Sequence, residues 1–266
     1  MFLTVDGRQS YAYTGGKTFD HTLKVVIFVH GAQHDHSVWA LQSRYLAHHG
    51  YSVLALDLPG HGRSAGPALE SVEAMAQWVL AVLSASGAAR ACIAGHSMGS
   101  LIALEAAGAA PQQVSGIALI GSANPMAVSD TLLEATRDDE PLAQDMVNIW
   151  SHSTYAAKPS NPGPGFWIVG QNLRLMQRIA AGVMHCDFKA CNDYAGGAAR
   201  AAQVRCPALF VLGNRDAMTP PRAARELQAA IKGQRTVLIS PSGHNLMAEQ
   251  PDAVLDALTD FLPGCT

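Results

Sequence analysis

Three residues of this sequence stand where acyl-transfer chemistry would need them. Gly95-His96-Ser97-Met98-Gly99 has the form G-x-S-x-G, the setting of a nucleophilic serine on a sharp strand-to-helix turn. The flanking glycines leave room for a backbone held there in a strained conformation. A serine hydroxyl is a weak nucleophile until a base takes its proton, and the base in turn needs an acid to orient it. On a strand–turn–helix scaffold the expected chain order is serine, acid, histidine. Asp216, in Leu212-Gly213-Asn214-Arg215-Asp216, and His244, in Ser240-Pro241-Ser242-Gly243-His244, fill that order. Ser97 is therefore expected as nucleophile, His244 as general base and Asp216 as the orienting acid. Asp57 also follows an apolar run, but it precedes the serine, and its Asp57-Leu58-Pro59-Gly60-His61-Gly62-Arg63-Ser64 setting reads as structural.

Attack on a carbonyl builds negative charge on its oxygen, and each preorganised donor aimed there is worth about 2.7–4 kcal/mol. The Met98 amide, directly after the serine, is one such donor. The second is expected from the loop after Val25–Val29, where His30-Gly31-Ala32 places the Ala32 N–H, with Gln33 as the alternative one residue on. His30, His34, Asp35 and His36 crowd the same loop. Four such residues could bind zinc, but their spacing fits no metal-site pattern and no downstream ligand set accompanies them, so no metal is expected. His34 or His36, with Gln33, are candidates for lining the substrate pocket instead. Further along, His185 to Tyr194 is unusually polar for its apolar surroundings. Asp187, Cys191 and Asn192 are candidates there for reaching over Ser97, with capping or hinge hydrogen bonds as the other role. Trp150 and Trp167 are candidates for an aromatic pocket wall or for ordinary packing.

Secondary structure must bring these residues to one edge. Val25–Val29, Ser52–Leu56, Ala91–Ala94, Ile117–Ile120, Ala208–Leu212 and Thr236–Ile239 are short runs apolar on both faces, as interior strands of a parallel sheet are. Helical faces alternate with them. One carries Val72, Met75, Ala76, Val79, Leu80 and Leu83, with Gly87 as a stop; others run from Ser100 to Ala109, from Pro221 to Ile231, and through Val254, Leu255, Leu258, Phe261 and Leu262. This alternation implies a mostly parallel sheet with helices on both faces. Ser97, Asp216 and His244 each follow a strand, and ligands of such sheets gather at the strands' carboxyl ends. Between 124 and 204 the rhythm breaks. Asp130–Ile149 is acidic and helix-prone, Lys158–Gly165 is a breaker-rich loop, and Asn172–Lys189 again reads as helical. The simplest organisation is an α/β core of 1–123 and 205–266 with a helical cap of 124–204 inserted.

A chain of 266 residues suits one sizeable domain. Its net charge of -3, with no basic block, excludes a nucleic-acid footprint. No run approaches the roughly 20 apolar residues of a membrane span, and the N-terminus lacks the basic-then-apolar pattern of a signal peptide. Five scattered cysteines without a CxxC pair read as reduced thiols, which points to the cytoplasm.

With His30-Gly31, Asp57–Ser64, the serine turn, Gly213–Asp216 and Gly243-His244 in this order, the chain resembles the α/β-hydrolase superfamily. The resemblance is to its capped serine esterases, C–C hydrolases, lactonases and cofactor-free haloperoxidases, and it spans nearly everything outside 124–204. It implies an eight-stranded, mostly parallel sheet, a lid over the site and no cofactor. A serine at 97 departs from the haloalkane dehalogenase and epoxide hydrolase branches, which have aspartate there. The expected partner is a small-molecule acyl substrate, first a small or medium carboxylic ester. C–C bond hydrolysis, lactone opening or perhydrolysis would use the same three residues. A non-catalytic ligand-binding protein on a retained scaffold is the reading from another class, and an intact Ser–Asp–His set argues against it.

Overall fold

Runs that are apolar on both faces can be satisfied only inside a layered fold, and five of the six form the centre of one sheet, while Thr236–Ile239 lies at its far edge, largely exposed. The computed structural model describes residues 1–156 and 167–265. Its strands are β1 (Phe2–Val5), β2 (Arg8–Tyr13), β3 (Lys24–Val29), β4 (Tyr51–Leu56), β5 (Ala91–His96), β6 (Val114–Ile120), β7 (Ala208–Gly213) and β8 (Arg235–Ile239). They lie in the order β1-β2-β4-β3-β5-β6-β7-β8. From β4 to β8 every pairing is parallel, while β1 and β2 join antiparallel at one edge.

The pleat divides the core in two. Val25, Ile27, Val29, Leu54, Leu56, Ile93, Leu119 and Phe210 face one layer, with α2 (Val72–Ala85) and α3 (Met98–Ala109) over them. Their alternate neighbours Val26, Phe28, Val53, Ala55, Ala94, Ala118 and Val211 face the other, under α1 (Ala40–His48) and the C-terminal α11 (Pro251–Phe261). Period-two alternation between two buried faces is why these strands read as unbroken apolar runs.

Between β6 and β7, every described element is helical: α4 (Asp130–Asp138), α5 (Glu140–Trp150), α6 (Ile168–Met176), α7 (Val183–Asp193) and α8 (Gly197–Gln203). Each of the two helical stretches expected there is divided. Asp139 ends α4 and caps α5, whose second residue is Pro141, a position where a missing N–H costs nothing. Gly182, at φ 81°, turns the chain between α6 and α7. The breaker cluster at 158–165 lies outside the described residues. Helix α8 packs on α3, where Arg200 and Tyr194 both bond the buried Glu105 carboxylate, at 2.8 Å each. After β7 come α9 (Arg225–Ala230) and, beyond β8, the short α10 (Leu246–Glu249). Among the described residues no helix is long and apolar enough to cross a membrane.

Candidate active site

Ser97 occupies the turn between β5 and α3 with φ 53° and ψ −117°. An L-residue at positive φ costs about 1–2 kcal/mol, so the surroundings must impose it. The Ser97 amide donates to the Ile120 carbonyl at 2.9 Å, and the Ser97 carbonyl accepts from the Ser100 hydroxyl at 2.6 Å. A Cβ at Gly95 would run into the Gly99 carbonyl, and one at Gly99 into the Val29 carbonyl. Close backbone approach thus explains both motif glycines. Met98 is the first residue of α3, so its amide is a donor that the helix itself leaves unused.

His244 and Asp216 reach the same edge from the turns after β8 and β7. The His244 Nδ1 lies 2.8 Å from Asp216 Oδ2, both residues being buried. Asp216 Oδ1 accepts the Met218 and Thr219 amides at 2.9 and 2.7 Å, while the Thr219 hydroxyl donates to Oδ2 at 2.7 Å. Burial alone would raise this carboxyl, but the His244 ring and the Thr219 donors outweigh it and hold it at about 2. A carboxylate on Nδ1 fixes the proton there and leaves Nε2 as the basic nitrogen. Gly121, at φ 58°, faces the ring: a Cβ would sit 3.2 Å from His244 Nδ1 and Cε1. Behind it, His96 Nε2 donates to the His244 carbonyl at 2.8 Å, and burial keeps His96 neutral.

Ser97 and His244 line one narrow cavity of about 20 Å³ with Gly31, Ala32, His34, Val147, Ser151, Asn172, Asn245 and Met247. A second, larger lobe of about 170 Å³ meets it at Ala32, Ser97, Phe188 and Met218, and is lined further by Met126, Val128, Leu132, Trp150 and Cys191. Ala32 borders both lobes, and its amide has no acceptor among the described residues. The Gln33 amide is instead spent on Asp187 Oδ2 at 2.7 Å, which removes it as the alternative oxyanion donor.

The other expected pocket residues divide. His34, Trp150 and Cys191 line the lobes. Burial pushes the Cys191 thiol well up, so it is a pocket surface rather than a nucleophile. Gln33 is wholly buried and bonds Glu140 and the Met176 carbonyl. His36 turns away to Asp57 at 2.7 Å, Asn192 accepts from the Val128 amide, and Trp167 is 73% exposed against Gly170. Asp187 is fully buried and touches neither lobe. None of these five reaches the cavity, because each is committed to a loop, a helix end or the surface.

Nor do the loop histidines form a ligand set. His30 accepts from the Leu58 amide, His34 meets Asn172, and His36 meets Asp57. Asp35, His36 and Asp57 do converge within 4.8 Å, but Asp57 already accepts the His36 and Arg63 amides, and Asp35 caps the Ser37 amide. These bonds tie loops together.

Several site residues carried no signal that the sequence reading used. Thr219 lies three residues after Asp216, a spacing that a short carboxylate-capped turn produces. Asn245 simply follows His244. Ser151, Asn172 and Phe188 come from the helical insertion, where periodicity says nothing about which face meets Ser97. The Ser151 carbonyl accepts both the His244 and Asn245 amides at 2.9 Å. Beside it, buried Glu249 accepts the Gly243 amide at 3.0 Å and bonds the Ser153 hydroxyl.

Comparison with known proteins fits this geometry. A Klebsiella pneumoniae protein named a carbamate hydrolase, RutD, is 29% identical over 222 residues, covering 80% of this chain and 81% of its own. A pimeloyl-[acyl-carrier protein] methyl ester esterase of Neisseria meningitidis is 27% identical over 267 residues, covering 93% and 97%. The enol-lactonase of Burkholderia xenovorans superposes with a TM-score of 0.86 at 23% identity over 99% of this chain and 100% of that one, a likeness of fold alone. The family described as the alpha/beta hydrolase fold matches residues 24–251, and the chain belongs to that family of hydrolases.

Proposed function

We propose that this protein is a serine hydrolase that cleaves uncharged, small to medium carboxylic esters through an acyl-enzyme on Ser97. The reading rests on one observation: a half-buried serine at positive φ shares a cavity with a histidine whose far nitrogen is held by a buried carboxylate. His244 Nε2 takes the Ser97 proton as Oγ attacks the carbonyl. The oxyanion rests on the Ala32 and Met98 amides. His244 then protonates the departing alkoxide, and afterwards takes a proton from water as that water releases the acid. No cofactor enters these steps.

Residues 124–204 act in this reading as a cap on the core of 1–123 and 205–266. The leaving group must lie within reach of His244, which lines only the smaller lobe. The alcohol therefore belongs beside His34, Asn172 and Asn245, and the acyl chain in the larger lobe beside Leu132, Phe188 and Met218. Among the described residues lining both lobes there is no lysine or arginine. Among these described lining residues, none would supply a countercharge to offset the cost of burying a substrate carboxylate. That disfavours the dienoates of C–C hydrolases and favours neutral esters, with lactones and carbamates in the same electrostatic class.

The test is Ser97→Ala against a series of p-nitrophenyl esters and a fluorophosphonate label. Wild-type protein is expected to be labelled at Ser97, and the variant to lose about five orders of magnitude in kcat while its circular dichroism is unchanged. A wild type that neither turns over esters nor takes the label would favour the non-catalytic reading.

A further inference from the structure

We propose that Asp187 of the helical insertion, paired with His61 of the core, is a positioning residue that aims the Ala32 amide at the reacting oxygen. The inference rests on the acyl-transfer reading and adds a component to it. Asp187 is fully buried on α7, and its Oδ2 takes two donors from the core. One is the Gln33 amide at 2.7 Å and the other is His61 Nε2 at 2.9 Å. Gln33 follows Ala32 directly and has φ 54°, one of three non-glycine residues with positive φ among the described residues. Ser97 is another. Such a turn persists only where its surroundings over-determine it, and at Gln33 they come from the insertion. Besides Asp187 on α7, Glu140 of α5 and the Met176 carbonyl of α6 hold the Gln33 side chain.

The pairing is built as an ion pair rather than a neutral hydrogen bond. His61 Nδ1 lies 3.1 Å from the Pro59 carbonyl while Nε2 faces the carboxylate, so both ring nitrogens meet acceptors and both must carry protons. Burial opposes that charge, and Asp187 outweighs it, raising His61 above its ordinary value. His30, with its ring centroid 4.8 Å away, is fixed the opposite way. It accepts the Leu58 amide at Nε2, donates from Nδ1 to the Gly31 carbonyl, and is kept neutral by burial. Asp57 adds a second negative charge near His61. Asp187 Oδ1 has no hydrogen-bond partner among the described residues, so the contacts of this carboxylate with the core all run through Oδ2. One carboxylate oxygen thus grips the residue next to the oxyanion donor, while the charge that holds it comes from the core.

The experiment is Asp187→Asn, which keeps size and one acceptor but removes the charge. Its kcat on a p-nitrophenyl ester is expected to fall 10- to 100-fold with KM within about threefold, near the lower range for losing an oxyanion donor. An alkyl boronic acid, whose adduct with Ser97 puts oxygen where the oxyanion forms, should bind more weakly by a similar factor. His61→Gln provides the second arm, with the same pattern at about tenfold. If either folded variant keeps wild-type kcat and boronate affinity, the proposal is overturned. It is overturned equally if kcat falls while boronate affinity stays. Should Asp187→Asn not fold, His61→Gln decides alone, by the same two readings. A wild type that takes no fluorophosphonate would instead remove the acyl-transfer reading itself, so the two failures are distinct.

Discussion

The carboxyl edge of the sheet and the helical insertion above it place their side chains by different means. At the edge, Ser97, Asp216 and His244 follow β5, β7 and β8, strands already aligned by continuous parallel pairing through β6. Their positions are inherited from a ladder of backbone bonds that forms or fails as a whole. The insertion meets the edge through separate contacts: the Ser151 carbonyl on His244 and Asn245, Asn172 on His34, Glu140 on Gln33, and Asp187 on Gln33 and His61. Each of these can be changed singly. The edge therefore sets which chemistry is possible, and the insertion sets the aim of one loop and the shape of the space around it.

The strongest way to break that comparison is to alter the edge without altering its shape. Asp216→Asn keeps volume, but the Met218 and Thr219 amides that donate to the Oδ1 position hold the amide oxygen there and turn its NH2 toward His244 Nδ1. His244 would then present the wrong nitrogen to Ser97. A fall in kcat of about 10⁴ is expected, with KM little changed. Steady-state kinetics on one p-nitrophenyl ester checks it; a loss under tenfold would mean the edge does not fix the chemistry.

The same contrast decides what was legible in the sequence. Strands β3 to β7 are readable because both faces of each are buried, β8 only from its apolar Val237–Ile239 run although it closes the sheet and is largely exposed, and the three edge residues because each follows a strand. The first hairpin was overlooked although Asp6-Gly7, at φ 50° and 74°, is a two-residue turn with both residues at positive φ. The short β1 and β2, with exposed residues at the sheet edge, carry no long apolar run to draw attention. In the insertion, helices were foreseeable but their roles were not. Asp187, a carboxylate among apolar residues, is a candidate both for facing substrate and for hinge hydrogen bonds, and the local sequence does not separate the two. Its true partner, His61, lies 126 positions away, and no local pattern encodes such a pairing. Trp167 failed for the opposite reason, since an aromatic residue at a helix start says nothing about which way the helix turns.

Acid and alkali should probe the two regions with opposite sign. His30 and His96 are buried and held neutral in the folded chain, so below their unfolded value near 6.5 the unfolded state binds more protons and stability falls as pH is lowered. Asp216, held at about 2, contributes stability that is present above roughly pH 4 and lost as pH falls toward 2, an effect of about 2 kcal/mol. His61 runs the other way. Its raised value means that its contribution is complete below about 6.5 and disappears as pH rises through the folded value. Urea midpoints across pH 4 to 10 should fall on both sides. In Asp187→Asn the alkaline fall should flatten while the acid fall remains. An unchanged alkaline limb would remove the charge from the insertion's attachment.

The smallest expected effects concern selectivity, and they separate the lobes from each other. Leu132 on α4 lines only the larger lobe, and Val147 on α5 only the smaller one. Both side chains are buried, so enlarging either costs about 1–3 kcal/mol of stability without touching the edge. Leu132→Phe should lower kcat/KM about tenfold for long acyl chains relative to acetate, with the order of preferred alcohols unchanged. Val147→Phe should do the reverse, penalising bulky alcohols while the acyl-chain profile keeps its shape. A matrix of acyl lengths against alcohol sizes reads both at once. If the two substitutions trade places, His244 protonates a leaving group in the larger lobe. The acyl and alcohol sides would then be exchanged while the edge chemistry stayed the same. If both shift both profiles together, the lobes act as a single cavity, and the wall formed by Phe188 and Met218 does not sort the two halves of the substrate.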